Sequence, residues 1–283
     1  MTKATVILPT TGDRAPLLRH SVTSVQRQTV KELELFVIGD GLEEATRSVI
    51  RDMAATDPRI RLFDHPKHAR RGEVYRHAAL AEASGNIVCY LCDRDLWLPD
   101  HVATHYAQLR EHDFSTTMHY YVSPEHQLYR MGSPEPWYGR VGEHSPARAR
   151  SDAYQLTSVA HTLAAYRRLP HGWRTTPEGI YTDRYMWAQF MAVPDLRIYH
   201  GYRPTFLYFK RGNYPGWPVA KREPELRHWT EVLLEEKSSK ELFAAADAEF
   251  LNAAAADRRA VELLRFTWLR RSLRRGLRRF GRR

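Results

Sequence analysis

Two carboxylates one residue apart, Asp93 and Asp95, sit in the run Cys92-Asp93-Arg94-Asp95-Leu96-Trp97, directly after the strand-like stretch Asn86-Ile87-Val88-Cys89-Tyr90-Leu91. Carboxylates at the carboxyl end of a strand can hold a divalent cation, and a cation there can grip a diphosphate. The spacing alone carries little, because a chain of this length holds on the order of one Asp-x-Asp by chance. The competing reading is two solvated residues capping the helix that Leu98-Pro99-Asp100 introduces. The elements around the pair decide between these readings.

Thr5-Val6-Ile7-Leu8 reads as a short strand that stops at Pro9-Thr10-Thr11-Gly12-Asp13-Arg14, and Leu18, Val22 and Val25 mark the apolar face of a following helix. Leu33 to Ile38 is the next strand and ends at Gly39-Asp40-Gly41, where glycine permits a tight turn beside a ligand. A helix with Ala45, Val49 and Met53 on one face follows, then a strand at Ile60–Phe63, a helix from Arg71 to Ala83 and the strand from Asn86 to Leu91. This fourfold alternation predicts an α/β fold with a mostly parallel, Rossmann-like sheet flanked by helices. Ligands of such sheets bind beyond the carboxyl ends of the strands. Pro9-Thr10, Asp40 and Asp93/Asp95 are therefore expected to converge on one edge.

From about residue 114 to 150 the pattern turns irregular, as Tyr120-Tyr121, Pro124, Gly132, Pro134, Pro136, Trp137 and Gly139 suggest short strands and loops that shape a cleft. A helix is expected near Ser158–Leu169, a Gly/Pro/Trp-rich loop from His171 to Gly179, a helix near Asp183–Met191, and two strands at Leu196–His200 and Thr205–Phe209. After Gly216-Trp217-Pro218 the chain is helical and rich in alanine. The expected division is a domain at 1–217, with halves at 1–112 and 113–217, and a helical extension at 218–283.

The 283 residues are ample for a substantial core, and their net charge of +10 could suggest a nucleic-acid partner. The distribution argues against one: residues 257–283 hold eleven Arg against Asp257 and Glu262, a surplus of nine, which leaves 1–256 nearly neutral. Leu269, Leu273, Leu277 and Phe280 fall on one helical face among those arginines. Such a basic amphipathic segment, 261–283, is expected on an anionic membrane surface, with an RNA-binding arm or a protein-docking helix as alternatives. No apolar run is long enough to span a bilayer and Met1 leads directly into strand-like sequence, so the expected location is cytoplasmic, peripheral on the inner face of the membrane. Cys89 and Cys92 lack a second pair at zinc-ligand spacing and read as packing residues in a reducing compartment.

Taken in order, Val6-Ile7-Leu8-Pro9-Thr10 with Asp13-Arg14, Leu35-Phe36-Val37-Ile38-Gly39-Asp40-Gly41, the helix from Arg71-Gly72 to Ala79, Gly85-Asn86-Ile87-Val88 before Asp93-Arg94-Asp95-Leu96-Trp97-Leu98-Pro99, and Thr182-Asp183-Arg184-Tyr185-Met186-Trp187 resemble a family 2 glycosyltransferase. The resemblance runs from Val6 to about Arg211 and implies a GT-A fold, a nucleotide-sugar donor and a Mg²⁺ or Mn²⁺ ion. It implies Asp95 as direct metal ligand and Asp93 on the ribose or on the metal through water. Asp40 would face the nucleobase, with Pro9, Thr10, Asp13 and Arg14 in the same pocket. Arg70, Arg71, Arg76 and Arg211 would serve the nucleotide sugar, since guanidinium groups suit phosphate oxygens. Asp183 would be the base of an inverting transfer, with Glu178 and Asp152 as fallbacks, and His200 a further metal ligand, with His161 as rival. Trp173 or Trp137 could stack on a sugar.

Two positions depart from the family pattern. Gly39 and Leu42 replace the outer residues of Asp-Asp-Gly-Ser, and Tyr75-Arg76-His77 replaces Ala-Arg-Asn. Both fall in the nucleotide pocket that the resemblance implies and leave the base of the donor undetermined; UDP-sugar is the leading expectation, with GDP- and dTDP-sugars beside it. The acceptor would be a saccharide, lipid-linked or other hydroxyl. Rival functions are a sugar-nucleotide pyrophosphorylase, whose Gly-rich phosphate loop Pro9-Thr10-Thr11-Gly12-Asp13-Arg14 does not supply, and a non-catalytic recruitment protein acting through its basic tail.

Overall fold

The computed structural model describes residues 1–131, 154–212 and 216–256. Its first half alternates as the sequence predicts: β1 (Ala4–Gly12), α1 (Ala15–Gln26), β2 (Leu33–Leu42), α2 (Glu44–Thr56), β3 (Ile60–His65), α3 (Glu73–Ala81) and β4 (Ile87–Tyr90). The second half contains β5 (Leu96–Trp97), α4 (His101–Gln108), β6 (Phe114–Val122), β7 (Leu128–Arg130), β8 (Val159–Thr162), α5 (Leu163–Arg167), α6 (Thr182–Met191), β9 (Ile198–Tyr208) and α7 (Val219–Leu234). Residues 236–256 are also helical.

The strands form one sheet in the order β3-β2-β1-β4-β8-β6-β9-β5, with β7 paired to β6. β1 runs parallel to both β2 and β4, which lie on opposite sides of it. The strand order therefore reverses at β1, and a crevice opens beyond the carboxyl ends of β1 and β4. β8 is antiparallel to β4 and to β6, so the second half extends the parallel sheet as a mixed one.

Both faces of the central strands are covered, which is why they read as unbroken apolar runs. Successive side chains alternate between two cores. Ile7, Phe36, Val88 and Tyr90 pack with Leu80 and Trp187, while Val6, Leu8, Val37 and Cys89 pack with Leu18, Val22 and Ile50. Cys89 is thus a packing residue, and both cysteines are free.

Three expected elements differ. The irregular stretch after 114 begins with a nine-residue strand, β6, whose Phe114, Ser115 and Thr116 pair with β8. The helix expected from Ser158 is a short 3-10 turn, Leu156–Ser158, followed by β8, because Val159, Ala160 and His161 fill the gap between β4 and β6. The helix starts only at Leu163, where Thr162 Oγ1 accepts the Ala165 amide at 3.0 Å. The strands expected at Leu196–His200 and Thr205–Phe209 are one strand, β9, which passes Gly201 and Pro204 through register shifts against β6. A Cβ at Gly201 would lie 2.5 Å from the Thr116 carbonyl oxygen, so glycine permits the close approach there.

The helix after the expected boundary at 218 folds back onto the sheet. Leu226 and Trp229 of α7 share a core with Leu17, Leu96 and Leu207. The buried ion pair of Arg211 with Glu225 fixes this return, and Arg211 also donates to the carbonyls of Val122 (2.9 Å) and Ser123 (3.0 Å). Arg211 is 5 % exposed and fully engaged in this packing, so it is a structural tether and not the diphosphate contact the sequence suggested. Removing one partner of a buried pair strands the other charge, at a cost of about 3–5 kcal/mol. Arg211→Ala is therefore expected to lower the unfolding free energy obtained from urea melts by that amount, while nucleotide affinity of the remaining folded protein changes less than twofold. A large affinity loss at unchanged stability would restore the diphosphate role.

Candidate active site

The crevice at the strand reversal is a cleft of about 290 Å³ lined by the ends of β1, β2 and β4 and by the first turns of α3 and α6. Pro9, Thr10, Arg14, Asp40, Arg70, Arg71, Arg76, Asp93, Asp95 and Asp183 all line it. Asp13, Arg211 and His200 do not. Asp13 is exposed ahead of α1. His200 stands on β9 opposite Thr116, with its ring stacked on Tyr154 at 5.6 Å and Nδ1 3.3 Å from the Tyr154 hydroxyl. Burial pushes its pKa down to about 4. The sequence could not place it, because the continuous β9 carries it away from the end of β4.

The two carboxylates are held by hydroxyls from β1 and from the 3-10 turn before β8. Thr10 Oγ1, at the end of β1, donates to Asp93 Oδ2 at 3.0 Å, and Thr157 Oγ1 donates to Asp95 Oδ2 at 2.6 Å. Thr157 also accepts the Cys92 amide at 3.2 Å, which locks the loop that carries the pair. Asp95 is 1 % exposed, and its Oδ1 has no hydrogen-bond partner. Burial pushes its pKa up to about 6, against the opposing effects of the Thr157 hydrogen bond, the Arg94 charge and the Phe209 backbone amide. A carboxylate oxygen so enclosed and without a side-chain partner carries a desolvation cost that a cation would offset. Among the described residues no group of three or more His, Cys, Asp or Glu side chains is arranged to hold a metal, and Asp93 and Asp95 are the two carboxylates that follow β4 in the cleft. Two suffice for an ion that retains water and binds phosphate oxygens.

Opposite them lies Arg76, 5 % exposed, whose Nη2 donates to the Arg71 carbonyl at 2.9 Å while Nε and Nη1 lack partners. Burial lowers its pKa, and the nearby Asp183 and Glu73 oppose that shift. Its guanidinium lies over the Trp173 ring at 4.7 Å. Trp173 is 2 % exposed and donates from Nε1 to the Tyr90 hydroxyl at 3.0 Å, so it supports Arg76 and offers no face to a sugar. His161 is likewise enclosed, with Nε2 2.7 Å from the same Tyr90 hydroxyl. Arg70 donates to the Pro177 carbonyl at 3.1 Å across the cleft wall.

Asp40 is already paired: Lys67 contacts Oδ2, and the His68 amide donates to Oδ1 at 2.6 Å. Gly72 stands beside it at φ 63°, and a Cβ there would sit 3.1 Å from the Asp40 Cβ, so the left-handed turn before α3 is what admits the Asp40 side chain. Asp183, in the first turn of α6, is half-buried. Burial raises its pKa, and Arg76 opposes the rise. The fallback Glu178 is exposed and outside the cleft, while Asp152, Trp137 and the tail at 257–283 lie outside the described residues.

Several functional positions escaped the sequence reading. Thr157 gave no signal, since a threonine sixty-two positions from Asp95 reaches it only through the β4–β8 pairing. Glu73 is fully buried and binds the Arg71 amide (3.1 Å), the Thr176 amide (3.4 Å) and Thr182 Oγ1 (3.3 Å), tying the first turn of α3 to that of α6. Burial would raise its pKa, but these hydrogen bonds and the charge of Arg76 bring it below the usual value. An acidic residue two positions after Arg71 was a visible but unread clue. Altogether Arg14, Lys67, Arg70, Arg71, Arg76 and Arg94 face Asp40, Asp93, Asp95 and Asp183 in one crevice, an excess of positive charge suited to a polyanion.

A sheet of this order, with two carboxylates and clustered arginines at its strand reversal, has the architecture of a GT-A glycosyltransferase. The sequence model of "Glycosyl transferase family 2" matches residues 5–171, more than half of the chain, and the chain belongs to that family. A curated relative, GalNAc(5)-diNAcBac-PP-undecaprenol beta-1,3-glucosyltransferase of Campylobacter jejuni, is 33 % identical over 104 residues, covering 37 % of this chain and 33 % of the relative. Glycosyltransferase GlyA of Streptococcus pneumoniae is 30 % identical over 122 residues, covering 43 % of this chain and 17 % of the relative. The chain thus matches a third or less of the length of these relatives.

Solved structures agree on the fold. TarS 1-349 of S. aureus in complex with UDP-GlcNAc superposes with a TM-score of 0.58 at 16 % identity, over 89 % of this chain and 72 % of that one. The mannosyltransferase PcManGT of Pyrobaculum calidifontis, in complex with GDP-Man and Mn²⁺, gives 0.53 at 20 % identity, over 90 % and 79 %.

Proposed function

We propose that this protein transfers a sugar from a nucleoside-diphosphate donor to a hydroxyl acceptor, with inversion at the anomeric carbon. The observation that carries the reading is the buried Asp95 carboxylate, whose Oδ1 lacks a side-chain partner, in a cleft it shares with the half-paired guanidinium of Arg76. Asp95 and Asp93 would hold a Mg²⁺ or Mn²⁺ ion, which when bound stabilises the negative charge of the departing diphosphate. Arg76 and Arg71 share that charge, and Asp93 or Thr10 reaches the ribose. The acceptor oxygen attacks the anomeric carbon opposite the leaving group, its proton passes to the Asp183 carboxylate, and the C–O bond to the diphosphate breaks. The raised pKa of Asp183 makes it a stronger base than an ordinary aspartate.

The Asp40–Lys67 pair meets the base edge, and UDP-sugar is the leading donor, with GDP- and dTDP-sugars as alternatives. The Campylobacter jejuni relative is named for a lipid-linked acceptor, which supports a saccharide or lipid-linked acceptor of envelope biosynthesis. No helix among the described residues is long and apolar enough to cross a membrane. Residues 261–283, basic and amphipathic in sequence, would bring the enzyme to an anionic, cytoplasm-facing surface.

A thermal-shift and hydrolysis screen over UDP-, GDP- and dTDP-sugars, with and without Mn²⁺, tests this. One donor class is expected to raise the melting temperature by several degrees with metal, since ligand at a hundredfold excess over Kd stabilises by about 2.7 kcal/mol. A response to no donor, or one indifferent to metal, would refute the reading.

A further inference from the structure

An exposed aromatic beside a half-buried acid is the cleft's least explained feature. Tyr181 lines the cleft with Asp183 yet is 72 % exposed, and its neighbour Ile180 is 41 % exposed. The cleft's other tyrosine, Tyr208, is partly buried, and its pKa is pushed up to about 12 by burial and by the charge of Asp95. Trp173, the aromatic the sequence offered for stacking, is covered by Arg76. Tyr181 is therefore the cleft-lining ring among the described residues that is open to a ligand.

The loop that presents it is clamped. Glu73 holds both ends, through Thr176 and Thr182, and Arg70 grips the Pro177 carbonyl between them. Gly179 turns the tip at φ 75°, and Tyr181 precedes α6 in an extended conformation, its carbonyl accepting the Tyr185 amide at 3.0 Å. A clamped backbone with a free aromatic ring is a preorganised platform, because a tyrosine has two side-chain torsions and loses little entropy when covered. Two residues of chain span at most about 7 Å from Cα to Cα, so the ring and the carboxylate are carried by neighbouring positions on one wall of the cleft. The C–H face of a pyranose is apolar and its rim is hydroxylated, matching an aromatic face on one side and a carboxylate on the other.

We propose that Tyr181 is the acceptor platform: its ring carries the apolar face of an acceptor pyranose so that a hydroxyl of that sugar reaches Asp183. Resting on the proposed transferase reading, this specifies the acceptor class as a sugar ring in place of a bare lipid or protein hydroxyl. Ile180 extends the surface outward, toward whatever the acceptor sugar is attached to.

The test is saturation-transfer NMR of the full chain with methyl glycosides of glucose, galactose, N-acetylglucosamine and N-acetylgalactosamine, each titrated with and without UDP and Mn²⁺. At least one glycoside is expected to bind at millimolar concentration. Tyr181→Ala should weaken it tenfold or more and Tyr181→Phe less than twofold, with UDP affinity unchanged in both, since the ring face is the contact. No binding by any methyl glycoside, equal binding by Tyr181→Ala, or a response to octyl glycosides alone would overturn the proposal, the last assigning the patch to an alkyl chain. Failure of the transferase reading registers separately, as an absence of metal-dependent binding across UDP-, GDP- and dTDP-sugars.

Discussion

Asp95→Asn is expected to make the metal-free protein more stable and at the same time to abolish the proposed metal-dependent transfer. The carboxylate is fully buried, with a pKa near 6 against 3.8 for an ordinary aspartate. A carboxyl whose folded pKa lies above its unfolded value binds its proton more readily in the fold. The resulting penalty on the folded state is absent below about pH 4, grows as pH rises, and is complete above about pH 6. Two pKa units correspond to about 3 kcal/mol, an upper bound for what the neutral amide recovers at pH 7.5. The melting temperature without metal should rise accordingly. A bound divalent cation offsets the same penalty in the wild type, so Mn²⁺ should raise the wild-type melting temperature and leave that of the variant unmoved. Turnover should fall by about a thousandfold or more, equivalent to about 4 kcal/mol of lost transition-state stabilisation. Manganese affinity should also weaken as pH drops below 6, tenfold per unit, since only the ionised carboxylate is a ligand. A variant that is both less stable without metal and still stabilised by Mn²⁺ would show that Asp95 is a packing residue.

That the buried carboxylate could be found in the sequence at all follows from the sheet. β1, β2 and β4 are covered on both faces, so their apolar runs end abruptly where the chain leaves the core, and Thr10, Asp40 and Asp93 stand at those ends. Parallel strands place such ends on one edge, which makes residues far apart in sequence neighbours in space. The antiparallel half obeys no such rule. β8 has to be inferred from the gap it fills between β4 and β6, and with it Thr157, the partner of Asp95. Arg211 and His200 were misread for a related reason. A sequence shows that an arginine or histidine is present, but Glu225 decides the fate of the first and the continuity of β9 that of the second. Aromatic residues inverted in the same way, since Trp173 in a Gly/Pro loop looked available and is buried under Arg76, while Tyr181 at a helix start gave no signal and stands open.

The second large effect belongs to Asp183, and it separates binding from chemistry. Its carboxylate is half-buried in the first turn of α6, raised in pKa by burial and opposed by Arg76. In the proposed transferase neither it nor the acceptor is needed to hold the nucleotide, which Asp93, Asp95 and the arginines would contact. Asp183→Asn is therefore expected to leave UDP or GDP affinity in the presence of Mn²⁺ within twofold of wild type, while transfer to the acceptor falls by about 10²–10⁴, the usual span for removing a general base. The pH dependence supplies a second criterion. In wild type the acid limb of kcat should lie above the ordinary aspartate value, because the ionised carboxylate is the active form and burial holds it protonated to a higher pH. At saturating metal and donor this limb reports Asp183, whereas the pH dependence of metal affinity reports Asp95, so the two titrations are separable. With Asp183→Asn the limb in kcat should vanish from the residual rate and that in metal affinity should remain. If transfer survives the substitution, the acid in α6 is only a helix-start residue neutralising Arg76. The nucleotide would then lose affinity as well, because an unbalanced Arg76 is repositioned, and the base would have to be sought among carboxylates beyond the described cleft.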